Sequence, residues 1–105
     1  MSYKWPDKDP DETIDYSVDW SRFLGDVTIS TVSWSVVDEN GDKEILSNAE
    51  IVNGLQFVSG TISGKVATAR FALGTNNIRY TVGCKITTSD GLTFERSIFL
   101  RVKEK

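Results

Sequence analysis

The residue pattern predicts an all-β protein, an antiparallel β-sandwich of about seven strands entered through an extended N-terminal arm. Three observations carry this. Apolar and polar residues alternate over most of the chain, turn-forming residues recur at short intervals, and no stretch sustains a helical period. The clearest case is Arg79 to Lys103, RYTVGCKITTSDGLTFERSIFLRVK. Tyr80, Val82, Cys84 and Ile86 share one face of its first arm, and Ile98, Leu100 and Val102 share one face of its second. Ser89-Asp90-Gly91 lies between them, and Asp-Gly between alternating apolar runs is a hairpin signal.

The 105 residues suffice for one domain with its own core. A net charge of −3 argues against nucleic acid as the main partner, because phosphate binding needs concentrated Lys and Arg. One cysteine, Cys84, excludes an internal disulfide framework, and its place between Val82 and Ile86 predicts a buried thiol. The chain has no histidine, which removes the usual zinc ligand and the usual general base together. The start, MSYKWPDKDPDE, has no apolar run suited to a signal peptide, and nowhere do eighteen apolar residues follow one another. Synthesis in the cytosol is therefore expected, the chain staying there or leaving as part of something larger, with no membrane partner.

Residues 1–12 form the expected arm, and residues 13–105 the sandwich. Pro6 and Pro10 among Asp7, Asp9, Asp11 and Glu12 disfavour helix and sheet interior. The segment is either a solvated tail or, because Trp5 is costly to leave bare, an arm packed on its own domain or on a partner.

Thr13 to Ser21 alternates Ile14, Tyr16, Val18 and Trp20 with polar residues, which predicts a half-buried strand. Arg22 to Asp26 then turns at Gly25-Asp26, with Phe23 or Leu24 plugging one end of the core. In Val27 to Val37, Val27 and Ile29 have one parity, whereas Val32, Trp34 and Val36 have the other. A bulge near Ser30-Thr31 brings both sets to the core side. Asp38 to Asp42 contains Asn40-Gly41, a turn. Glu44 to Val58 predicts one or two short strands broken at Asn53-Gly54. Gly60 and Gly64 bracket Thr61 to Ser63, and Lys65 to Leu73 is a further strand with Ala67, Ala69, Phe71 and Leu73 on one side. Leu73 to Tyr80 has the shape of the corner at which a tyrosine of immunoglobulin-like domains hydrogen-bonds backward, with Trp34 as the buried tryptophan and Val82 where antibody domains carry a cysteine. The sandwich is thus read as immunoglobulin-like, ahead of a jelly roll or a small barrel.

Little here points to chemistry. Asp7, Asp9, Asp11, Glu12 and Asp15 are the densest carboxylates, but Pro10 and Ile14 break the spacing of a calcium loop. There is no nucleophile elbow, phosphate loop or cysteine–histidine pair. No catalytic, cofactor or metal residue is assigned, and no enzyme is expected. Trp5 and Trp20 offer the alternative reading, a carbohydrate-binding or adhesion-type module that stacks sugars on tryptophan.

Lys8-Asp9-Pro10-Asp11-Glu12, followed by Ile14-Asp15-Tyr16 and Asp19-Trp20, resembles the fibre–tail adaptor proteins of tailed phages and prophages. The similarity continues through Gly25-Asp26, Ile29, Trp34-Ser35-Val36, Tyr80-Thr81-Val82, Thr87 to Gly91 and Glu95-Arg96-Ser97, closing at Leu100-Arg101-Val102. The resemblance implies a virion structural protein that links tail, connector or fibre components, repeated around a ring, with no active site. The interaction residues expected on the arm are Trp5, Pro6, Asp7, Asp9, Pro10, Asp11 and Glu12. Those on the basic last strand are Arg96, Arg101 and Lys103, and the acidic arm of one copy is expected to meet this strand of the next.

Overall fold

The computed structural model describes residues 3–37, 43–45, 50–52 and 54–104. Within them the chain runs through β1 (Tyr3–Lys4), β2 (Ile14–Asp19), α1 (Ser21–Leu24), β3 (Ile29–Val37), β4 (Lys43–Ile45), β5 (Glu50–Val52), β6 (Leu55–Ser63), β7 (Val66–Leu73), β8 (Ile78–Thr88) and β9 (Thr93–Val102). The strands form two sheets, one ordered β1-β9-β8-β3-β4 and the other β2-β7-β6-β5. Every ladder is antiparallel except β1 on β9, which is parallel. The expected turn at Asp38 to Asp42, and Asn53 of the expected break, lie outside the described residues.

The β8–β9 hairpin pairs from Ile78↔Val102 to Thr87↔Thr93. Tyr80, Val82, Cys84 and Ile86 are fully buried, as are Leu100 and Val102, so the alternation read from the sequence is the alternation of the fold. At the tip Gly91 has φ 90°, a backbone state that glycine enters without a Cβ penalty. β3 shifts register against β8 between Ile29 and Thr31, which leaves Ser30 as the extra residue. That bulge lets Ile29, Trp34 and Val36 all reach the core although their parities differ.

Trp34, Phe57, Phe71, Tyr80 and Leu55 fill the space between the sheets, with Ala67 and Ala69 giving the room these rings need. The corner before β8 is closed by Tyr80, whose hydroxyl accepts a hydrogen bond from the Thr75 backbone N–H at 3.1 Å. Two local expectations change. Ser21–Leu24 is a single helical turn rather than a simple turn; Leu24 is the plug, while Phe23 is 50% exposed. β6 also runs unbroken through Gly60, where a side chain would strike Trp34: a Cβ would sit 2.8 Å from its Nε1. Glycine at this position lets the strand lie over the indole.

Candidate interaction site

The arm runs along the outer edge of β9. Tyr3 is opposite Ile98 and Lys4 opposite Phe99, and Lys8 makes a further parallel bridge to Val102. The backbone bonds are Trp5 N–H to Phe99 C=O (2.9 Å), Lys8 N–H to Arg101 C=O (2.9 Å) and Lys103 N–H to Lys8 C=O (2.8 Å). An edge strand exposes a row of unpaired backbone groups, and here the chain's own arm covers that row.

Trp5 turns inward between the sheets and is 9% exposed. Its ring stacks on Tyr16 with centroids 4.7 Å apart and planes 16° from parallel, and lies within 6.4 Å of Trp34 and 6.2 Å of Phe71. The indole N–H donates to the Ser17 carbonyl (3.2 Å), and the Tyr16 hydroxyl donates to the Pro6 carbonyl (3.0 Å). Arm and β2 are therefore joined by one ring stack and two hydrogen bonds. Burial, with the Glu12 and Asp7 charges beside it, pushes the Tyr16 phenol up to about 12.

Lys8-Asp9-Pro10-Asp11-Glu12 folds on itself as it crosses from one sheet to the other. The Glu12 N–H donates to the Asp9 carbonyl, the Asp11 N–H to Asp9 Oδ1, and the Asp9 N–H to Glu12 Oε1. Asp9 and Glu12 thus cap each other's backbone, as paired residues do at helix starts and tight turns. Lys8 is fully buried, and its ammonium donates to the carbonyls of Asp9 and Leu73. The sequence reading missed Lys8; nothing local distinguishes a lysine that spans the arm from one that points to water.

The basic residues of β9 fall at two levels. Arg101, and Lys103 just past the end of β9, are exposed and flank the backbone bonds to Lys8, whereas the Asp7 carboxylate lies 4.0 Å from Lys4 Nζ within the arm. Arg96 lies further up, with its guanidinium 4.3 Å from the Trp20 ring and 5.4 Å from that of Phe23. There the two sheets' edges leave a cleft of about 200 Å³ lined by Lys4, Trp5, Ser17, Val18, Asp19, Arg96 and Ile98. The Ser21 N–H donates to Asp19 Oδ1 and holds the Asp19 carboxyl below the usual carboxylate range. The structure therefore brings Trp5 and Arg96 to one cleft, and Asp7, Asp9, Arg101 and Lys103 to the arm's far end. Pro6 and Asp11 are exposed, and Pro10 and Glu12 partly covered.

Trp5 and Trp20 are both core residues and present no open ring face for a sugar. An apolar surface lies at the sandwich end formed by α1 and the hairpin tip, where Phe23 and Leu92 are about half exposed and Phe94 meets Phe23 edge-on at 4.6 Å; Ile51, Ile62 and Leu73 are exposed elsewhere. Burial pushes the Cys84 thiol up to about 12, against weaker pulls from Trp20 and Arg96, so it is held as an inert thiol. On the outer face of the second sheet Arg70 grips Asp15 through two hydrogen bonds of 2.7 and 3.2 Å, and this keeps the Asp15 carboxyl low. Among the described residues no three His, Cys, Asp or Glu side chains gather as a metal site would need.

A protein-family profile described as "Podophage GP4 fiber-tail adaptor protein gp77" matches residues 8–101. The matched span begins at Lys8 and ends at Arg101, so it takes in β2 through nearly all of β9 and leaves out Trp5 and β1. No curated protein matches the chain.

Proposed function

The chain belongs to the podophage fibre–tail adaptor family, and we propose that it is a non-catalytic virion protein whose immunoglobulin-like sandwich joins tail or connector components to fibres through protein–protein contacts. The observation that carries this reading is the extent of the family match, which spans both sheets from Lys8 to Arg101. The fold is in keeping with it. Tyr80 reaches back to Thr75 at the corner, Trp34 is buried between the sheets, and the chain crosses from sheet to sheet after β1, β2, β4 and β7. An adaptor acts through its surface, and repetition around a ring multiplies one weak contact into a firm one.

Phage particles assembled without this protein test the reading. Tails without fibres are expected by electron microscopy, with fibres restored when the protein is supplied. Particles that carry their full set of fibres in its absence would overturn the proposal.

A further inference from the structure

We propose that the groove between β9 and β2 accepts the arm of a second copy, with residues 3–8 of one chain docking on β9 of the next in place of that chain's own arm. The proposal rests on the adaptor reading only for the presence of neighbouring copies.

Four observations lead there. Every tertiary contact of the arm described above is to a residue outside it, so an incoming arm reproduces the Phe99 and Arg101 backbone bonds, the stack on Tyr16 and the bond to Ser17 without a new surface. Among the described residues the arm pairs with β9 at two strand positions and one bridge, at a sheet edge, a kind of segment that opens before the core does. When it opens, Trp5 leaves an apolar slot between Tyr16, Trp34 and Phe71 that only a similar ring fills. Finally, the link between arm and sandwich is residues 9–13, whose turn is held by bonds among its own residues. Straightened, five residues span roughly 17 Å, which is the reach the link gives an arm that has left its own β9.

The arm leaves its domain beside the groove that receives one, so exchange runs either reciprocally within a pair or from each copy to the next. Contacts of the second kind close into rings when the rotation allows. Copies held in a particle are at high effective concentration, which removes most of the cost of taking the neighbour's arm instead of one's own.

Two single variants test it, Lys4→Cys and Phe99→Cys, made in full-length chains carrying tags of different size. Residues 4 and 99 face each other across the parallel ladder, a spacing suited to a disulfide. Neither variant can form that bond within one chain, and Cys84 is buried out of reach. After mixing at assembly concentrations and mild oxidation, the expected product is the mixed disulfide, a shift from 11.7 kDa to about twice that mass before the tags are added. The double variant Lys4→Cys/Phe99→Cys should close within one chain when dilute and between chains when concentrated. If the double variant closes only internally at every concentration and the mixture gives no mixed disulfide, arm exchange is wrong. Fibre attachment, measured separately on particles, then still decides the adaptor reading.

Discussion

Replacing Trp5 with alanine asks how much of the domain's stability the arm carries. Trp5 is 9% exposed; a buried tryptophan removes about 200 Å² from water, worth about 5 kcal/mol at about 25 cal/mol per Å². That figure is an upper bound, because the unfolded chain already shelters some of this surface and the freed arm regains entropy. The lost bond to the Ser17 carbonyl adds about 1 kcal/mol, and the loss of the Tyr16 stack a similar amount. The balance is a loss of about 3 kcal/mol, within the range for large-to-small changes at aromatic core positions. It cannot exceed the docking free energy of the arm, because beyond that point the arm detaches and the sandwich remains. Urea unfolding followed by far-ultraviolet circular dichroism measures it, with Tm expected to fall by about 12–20 °C. A detached arm also lowers the denaturant slope, since less surface is left to expose. A loss below about 1 kcal/mol with an unchanged slope would refute the reasoning, because that is the behaviour of a surface substitution.

Other variants probe single features. Tyr80→Phe removes the acceptor for the Thr75 N–H and should cost about 1 kcal/mol by chemical denaturation. Gly74 has φ 114°, and a Cβ there would lie 2.7 Å from Val102 Cγ2; Gly74→Ala should therefore cost about 2 kcal/mol by the same assay, from strain and overpacking together. Cys84 and Tyr16 contribute to the alkaline limb of stability, their folded pKa values being raised from 9.0 and 10.0 to about 12. A raised pKa stabilises fully below the unfolded value, so their contribution is intact up to about pH 9 and is lost as pH climbs toward 12. Cys84 accounts for up to about 4 kcal/mol of that loss, at about 1.4 kcal/mol per unit. Denaturation midpoints from pH 8 to 11.5 should fall accordingly, and Cys84→Ala should flatten the first part of the fall; a flat profile in the parent protein would refute this.

Much of the fold was legible because one face of each long strand meets the core. The alternation of Tyr80 to Ile86 and of Ile98 to Val102 reports that face directly, and the parity switch between Ile29 and Val32 reports the bulge. The unread parts depend on partners far away in sequence. β1 is two residues long, and its pairing is decided by the edge of β9 rather than by its own pattern. Lys8 is buried because a carbonyl 65 positions on, at Leu73, accepts its ammonium. β6 passes through Gly60, where Trp34 lies beneath it. Of the candidate site residues, Trp5 stood out by chemistry alone. The acidic ones were read as a surface, whereas Asp9 and Glu12 spend hydrogen bonds on their own turn.

That last difference bears on what a family signature reports. The residues that carry the resemblance are largely those that build the domain. Lys8, Tyr16, Trp20, Trp34, Val36, Tyr80, Val82, Leu100 and Val102 are buried, and Asp9 and Glu12 hold the crossing turn. Side chains of this kind can hardly meet a partner. They fix how the arm leaves β9 and reaches β2, and hence where the exposed residues around that route stand. On the proposed reading, partner choice falls to residues such as Lys4, Phe23, Leu92, Arg101 and Lys103, which are exposed. An adaptor divides its sequence in this way for a physical reason: the core tolerates little change in volume, whereas a rim residue can be replaced at small cost to stability and still alter which surface it fits. Exchanging the exposed set between two members of the family should therefore move partner preference and leave folding stability within about 1 kcal/mol, a result readable by fibre capture alongside chemical denaturation.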